Sequence, residues 1–222
     1  MTSRQRVKRP QFVGVITTPD ELRLAARLPQ PPDFFELRLD HLCKIDMQIP
    51  RLPAPLIITA RHPREGGANK LSIKQRRDLL ARFLDRAAFI DIELRSARAL
   101  KSIVDLAWRK KVRVILSFHD FDSTPSVRRL SALALKAHSL GADVFKVATR
   151  TDTEDQLGRL REFAANADVD LALSVMGTGK LALASRLQLP SHFVYGALKT
   201  SRFAGQPTLT QLRSAFRRGD MR

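Results

Sequence analysis

One cysteine, Cys43, stands in 222 residues. A lone cysteine allows no internal disulfide framework and no cysteine-based zinc site. Aromatic residues make up only 6%, with a single Trp and a single Tyr, and no stretch interleaves them with basic residues as a base-stacking platform would. No apolar run approaches the roughly 18 to 20 residues of a membrane span, so no membrane partner is expected. The opening MTSRQRVKRP is basic and carries no apolar stretch of signal-peptide length, which points to a cytoplasmic location. The five histidines, His41, His62, His119, His138 and His192, are scattered without a ligand spacing, so no metal is expected. No G-x-G-x-x-G follows the first strand-like run and no G-x-x-x-x-G-K-[ST] occurs, so nothing supports a dinucleotide or P-loop site.

Basic residues, by contrast, are in excess. Thirty-nine Lys and Arg face 22 Asp and Glu, a net charge of +17. Such a surface attracts anions of every kind, nucleic acid included, but the charges are spread along the chain, with small clusters at Arg4 to Arg9 and Arg217 to Arg222. Contact with nucleic acid is therefore expected to be nonspecific at most. The 44% hydrophobic content is ample for a core, and the length suits one domain over 11–218 behind a basic tail at 1–10.

Short apolar runs alternate with longer amphipathic segments. The strand-like runs are Phe12 to Ile16, Phe34 to Arg38, Leu56 to Thr59, Phe89 to Glu93, Arg113 to Ser117, Val144 to Ala148, Leu171 to Val175 and His192 to Gly196. Helix-like stretches lie between them, among them Pro19 to Leu28, Ser72 to Ala87, Ala97 to Lys110, Val127 to Leu140, Glu154 to Ala165 and Leu181 to Leu187, with a last one at Thr208 to Arg217. The segment from Leu39 to Pro55, with Pro50, Pro53 and Pro55, reads as a loop or a short irregular helix. Strands apolar on both faces, each followed by a helix, imply a parallel sheet. Eight such units predict an α/β fold of the closed (β/α)8 TIM-barrel type, with an open doubly wound sheet as the runner-up.

A barrel places its chemistry at the C-terminal ends of its strands, and polar residues recur there. Strand two ends in Glu36-Leu37-Arg38, strand three runs through Arg61 to Pro63-Arg64-Glu65-Gly66-Gly67, strand four ends in Asp91-Ile92-Glu93 and strand five in Ser117-Phe118-His119. Lys146 lies among Val144, Phe145, Val147 and Ala148. Burying an unpaired ammonium is costly, and desolvation with nearby cations makes an amine easier to deprotonate, as a Schiff-base lysine requires. A lysine nucleophile, a histidine at the end of the preceding strand and a glutamate on the third loop form a nucleophile, base and orienter.

With these residues in order, the chain resembles the type I 3-dehydroquinate dehydratases, the Schiff-base dehydroquinases. The matching segments are FFELRLDHL at 34, IITARHPREGG at 57, FIDIELRS at 89, VILSFHDFDSTPS at 114, GADVFKVATRTDT at 141, ALSVMG at 172, SRL at 185 and GQ at 205. The resemblance implies a barrel, commonly dimeric, without metal or organic cofactor, acting on 3-dehydroquinate in the shikimate pathway. It implies that Lys146 forms the imine, that His119 moves the protons and that Glu65 orients His119. It also implies that Glu36, Arg38 and Arg61 surround the substrate hydroxyls, that Arg186 binds the carboxylate, that Met176 lines the site and that Gln206 belongs to a closing loop.

Three features depart from that pattern. Arg202 stands where the family has a serine and FAGQ replaces APGQ, which adds a cation at the closing loop and places Arg202 among the candidate substrate contacts. MGTGK replaces MGK-x-G, so Lys180 inherits no role. No bottom-plugging N-terminal hairpin is expected. The chemistry leaves two rival readings: a Schiff-base aldolase or transaldolase, and a catalytically degenerate basic barrel that binds RNA or other anions.

Overall fold

A computed structural model describes residues 9–43, 49–201, 203 and 205–219. Arg202 and most of the N-terminal tail, residues 1–8, lie outside them. Eight strands alternate with eight helices: β1 Gln11–Ile16, α1 Pro19–Ala25, β2 Phe34–Arg38, α2 Leu39–Leu42, β3 Leu56–Thr59, α3 Ile73–Phe83, β4 Ala87–Glu93, α4 Lys101–Arg109, β5 Arg113–Asp120, α5 Val127–Ser139, β6 Val144–Arg150, α6 Glu154–Asn166, β7 Ala172–Thr178, α7 Ala182–Gln188, β8 Phe193–Ala197 and α8 Leu209–Gly219. The strands pair in parallel in the order β7-β6-β5-β4-β3-β2-β1-β8. The expected (β/α)8 barrel is the fold.

Local signals start and stop these elements. Thr18 and Glu21 form a capping box at α1 behind Pro19, and Ser72 with Gln75 and Thr153 with Gln156 do the same for α3 and α6. Gly141 follows α5 with φ +75°, and a Cβ there would lie 2.7 Å from the Trp108 ring. The structure differs from the pattern at several ends. The stretch from Ala97 turns before α4 begins at Lys101, and β5, β6 and β7 run on to Asp120, Arg150 and Thr178.

Alternation along each strand sorts the core into two layers. Phe35, Leu37, Ile58, Ile90, Ile92, Val114, Leu116, Phe145, Val147 and Val175 pack with the helices in one buried cluster. Val13, Val15, Phe34, Ile57, Phe89, Ile115, Val144, Ala148, Met176, Phe193 and Tyr195 form another inside the barrel. At the end where the strands begin, Phe34, Phe89 and Phe193 meet edge to face in a triangle, with ring centroids 5.6, 5.3 and 5.2 Å apart. The Arg113 guanidinium covers Phe89 at 3.8 Å.

The ring of strands closes between β7 and β8 by a different device. The His192 N–H donates to the Leu173 carbonyl at 2.8 Å. Around it the Phe193 N–H donates to Ser174 Oγ at 3.0 Å, and Ser191 Oγ accepts from the Val175 N–H at 2.7 Å while donating to the Val175 carbonyl at 2.8 Å. Serine hydroxyls thus satisfy backbone groups that a ladder would otherwise pair.

Candidate active site

The inward positions change character toward the C-terminal ends of the strands. Above the phenylalanine triangle come Glu36 and Arg38 on β2, Asp91 and Glu93 on β4, Ser117 and His119 on β5 and Lys146 on β6. Burying so many charges is costly unless each is paired. Here the pairing is continuous. Arg76 reaches in from α3 to Glu93, and Glu93 Oε1 accepts from Arg61 at 3.4 Å. Arg61 grips Asp91 through two N–H groups at 3.0 and 2.7 Å, and Lys146 Nζ donates to Asp91 at 2.9 Å and to Glu36 at 3.1 Å. Three cations and three carboxylates therefore alternate along one buried chain. Burial is the largest single influence on Asp91 and opposes its charge, yet Arg61 and Lys146 prevail and hold its carboxyl well below the usual range. Arg61 is raised well above its ordinary value by Asp91 and Glu93, again against burial.

Lys146 is held on a third side as well. Its Nζ lies 3.9 Å from the centroid of the Tyr195 ring. The backbone carbonyl of Tyr195 accepts from Arg186 Nε at 3.1 Å, and the Gly177 and Ala182 carbonyls accept from Arg186 NH1 at 2.8 and 2.7 Å. No carboxylate among the described residues pairs with Arg186, and burial lowers its pKa to about 10. A buried guanidinium tethered only by carbonyls is suited to take an anion.

His119 and Glu65 form a separate pair. Glu65 ends a short 3-10 turn, Pro63–Glu65, followed by Gly66 in the left-handed region at φ +80°. Its Oε2 lies 3.0 Å from His119 Nδ1 and accepts the His119 backbone N–H at 3.0 Å. With Nδ1 engaged, Nε2 is the ring nitrogen left for a ligand. Burial, reinforced by Arg61 and Lys146, holds His119 well below its ordinary pKa, so the ring is neutral at neutral pH. Burial pushes Glu65 up to about 7 against the pull of Arg61.

Arg38 makes a bidentate bond to Asp40, at 3.0 and 2.8 Å, and also donates to the Gly66 carbonyl at 2.8 Å. The Phe203 ring lies 5.0 Å from the Arg38 guanidinium. Gly205 meets the loop after β7 backbone to backbone: Gly205 and Gly179 both have positive φ, and a Cβ on Gly205 would lie 2.1 Å from the Gly179 carbonyl oxygen.

Lys146, His119, Glu65, Glu36, Arg38, Arg61, Met176, Arg186 and Gln206 all line one cleft at the open end of the barrel. Arg202, the remaining candidate, lies outside the described residues. The sequence marks Asp91 only as a polar residue at the end of strand four, without its place at the lysine, and gives no sign of Tyr195 or Phe203. Asp91 stands two residues before Glu93 and shares its face, a spacing that could have revealed it. Tyr195 and Phe203 read in sequence as core and loop. Among the described residues no group of three or more His, Cys, Asp or Glu could hold a metal ion, and no helix is long and apolar enough to cross a membrane.

The chain is 34% identical over 190 residues to the 3-dehydroquinate dehydratase of Pyrococcus abyssi, covering 82% of this chain and 85% of that protein. It is 30% identical over 218 residues to that of Desulfotalea psychrophila, covering 93% and 95%. The fold matches a solved type I 3-dehydroquinate dehydratase from Clostridium difficile with a TM-score of 0.82 at 24% identity, over 96% of this chain and 93% of that one. The family model for type I 3-dehydroquinase matches residues 12–220. Lysine-dependent aldolases share imine chemistry, but the match sets this protein apart from them: an eight-stranded barrel with a buried lysine beside a histidine–glutamate pair, it belongs to the type I 3-dehydroquinase family.

Proposed function

We propose that this protein removes water from 3-dehydroquinate to give 3-dehydroshikimate in the shikimate pathway, through an imine on Lys146. The observation that carries the reading is the convergence of Lys146, the His119–Glu65 pair and the carboxylate-free Arg186 on one cleft. Arg186 holds the substrate carboxylate, while Glu36, Arg38 and Arg61 surround its hydroxyls and Met176 and Gln206 complete the walls. Lys146 attacks the ketone carbon, and the ketone oxygen leaves as water. His119 Nε2 then takes a proton from the carbon next to the iminium, whose positive charge accepts the electron pair and gives a neutral enamine. The same nitrogen returns that proton to the departing hydroxyl, which leaves as water, and hydrolysis of the imine frees product and lysine. Elimination from the unactivated ketone would place the pair on an enolate oxygen, a poorer electron sink. No step calls on a metal or an organic cofactor.

Borohydride reduction in the presence of 3-dehydroquinate, followed by intact mass and peptide mapping, tests the reading. The expected result is a substrate-derived adduct on Lys146 alongside a rising enone absorbance. The adduct is lost in Lys146→Ala, and turnover falls by at least about four orders of magnitude, since the covalent route is closed. Neither adduct nor product from folded protein would overturn it. The reading extends to a single catalytic domain over 11–218 that works in the cytoplasm as a homodimer, an assembly that sedimentation velocity measures.

A further inference from the structure

Among the described residues, one buried side-chain oxygen or nitrogen has no hydrogen-bond partner: the hydroxyl of Tyr195. An unsatisfied buried hydroxyl weakens the fold, and a Phe at the same place would not carry that cost. The residue is also not in the periphery. Its ring lies under Lys146 Nζ at 3.9 Å, and that nitrogen is shared between Glu36 and Asp91 at 3.1 and 2.9 Å. The negative charges of Glu36 and Asp91 are felt at the phenol and, after burial, do most to raise its pKa well above the ordinary value.

Imine formation changes the number of donors at this spot. Lys146 as an ammonium has three N–H groups. One proton leaves to free the amine, a second leaves as the addition product expels the ketone oxygen, and these two protons with that oxygen make the water released. The iminium keeps one N–H where two carboxylates were served before. Asp91 still has both Arg61 bonds and the Ser117 hydroxyl at 2.6 Å. The Glu36 carboxylate accepts its one hydrogen bond among the described residues from Lys146, and Arg61 stands 3.8 Å away.

We propose that the Tyr195 hydroxyl is a reserve donor that turns to the Glu36 carboxylate when Lys146 is converted to the imine. The inference rests on the dehydratase reading and assigns Tyr195 as a positioning residue for the covalent states. A hydrogen bond absent at rest and made only along the reaction path raises kcat rather than lowering KM. The resting cost of the idle hydroxyl and the later gain in rate come from the same atom.

Tyr195→Phe separates this role from a structural one, because the ring stays under Nζ and only the oxygen goes. The expected result is a kcat about tenfold lower with KM nearly unchanged, as loss of one hydrogen bond to a charged group predicts. The thermal midpoint should hold or rise, because a buried unsatisfied group has been removed. At saturating 3-dehydroquinate the fraction of protein trapped by borohydride should fall. Wild-type kcat in the variant would overturn the inference, and so would a loss of activity accompanied by a lower thermal midpoint, which is the mark of a packing role. If the wild-type protein itself fails to turn over 3-dehydroquinate, the dehydratase reading falls and this inference with it.

Discussion

At the scale of single residues, the site divides its charges into two kinds. Asp91 and Arg61 are locked into their ionised forms by mutual contact, whereas Glu65 sits where a proton is gained or lost near neutrality. Below about pH 7 Glu65 takes up a proton on the oxygen that faces His119 Nδ1. That proton turns Nδ1 into an acceptor and places the imidazole hydrogen on Nε2, where it blocks proton abstraction. The kcat/KM profile should therefore fall on the acid side with an apparent pKa near 7, and a flat profile from pH 5 to 8 would contradict this. Stability runs in the opposite sense. The folded form of Glu65 binds its proton more tightly than the unfolded carboxyl at 4.5, so its contribution is full below 4.5 and is lost as pH rises through 7. Glu65→Gln should accordingly flatten the decline of the thermal midpoint between pH 5 and 8 while removing most of the activity.

At the scale of elements, Gly205 joins the barrel mouth by a contact that admits no side chain. Gly205 has φ +74° and abuts the backbone of Gly179. Gly205→Ala should push the segment away, with Phe203 lifted from Arg38 and Gln206 from the cleft. KM should rise about tenfold or more while the thermal midpoint changes little, because the displaced segment contributes little to the core. Steady-state kinetics beside a melting curve check both halves. The same scale shows what could be read in advance. β3 was legible to the residue because its apolar run ends abruptly at Ala60-Arg61, and β2 was legible through Phe34, Phe35 and Leu37 although Glu36 and Arg38 interrupt it. β5, β6 and β7 proved longer than their apolar runs, since His119, Asp120, Thr149, Arg150 and Thr178 continue the backbone ladder with polar side chains. Function interrupts the hydrophobic pattern where the strand itself does not stop. The pairing of His119 with Glu65 was legible through the resemblance. The alternating run from Arg76 to Glu36 was not, because α3 offers Arg76 as one basic residue among several on a helix whose exposed face is also basic.

At the scale of the whole molecule, the barrel carries its stability and its chemistry at opposite ends. The phenylalanine triangle fills the end where the strands begin, and the ion-paired chain occupies the end where they finish. The closure between β7 and β8 lies toward the first of these ends, at Leu173 to Val175 and Ser191 to Phe193. Ser191→Ala would leave the Val175 N–H without its acceptor, a loss of about 1–3 kcal/mol for a buried donor. A denaturant titration should show that decrease, and hydrogen exchange should show it first at Val175 and Phe193. Strands joined by ladders on both sides would not single out these two amides.

That serine-bridged closure makes the barrel a hoop with a clasp. Arg186 is tethered across the clasp, to the carbonyls of Gly177 on β7 and Tyr195 on β8. An anion bound by Arg186 therefore sits on a side chain that is tied to both ends of the hoop at once. Occupancy of the cleft and closure of the barrel thus meet at a single guanidinium.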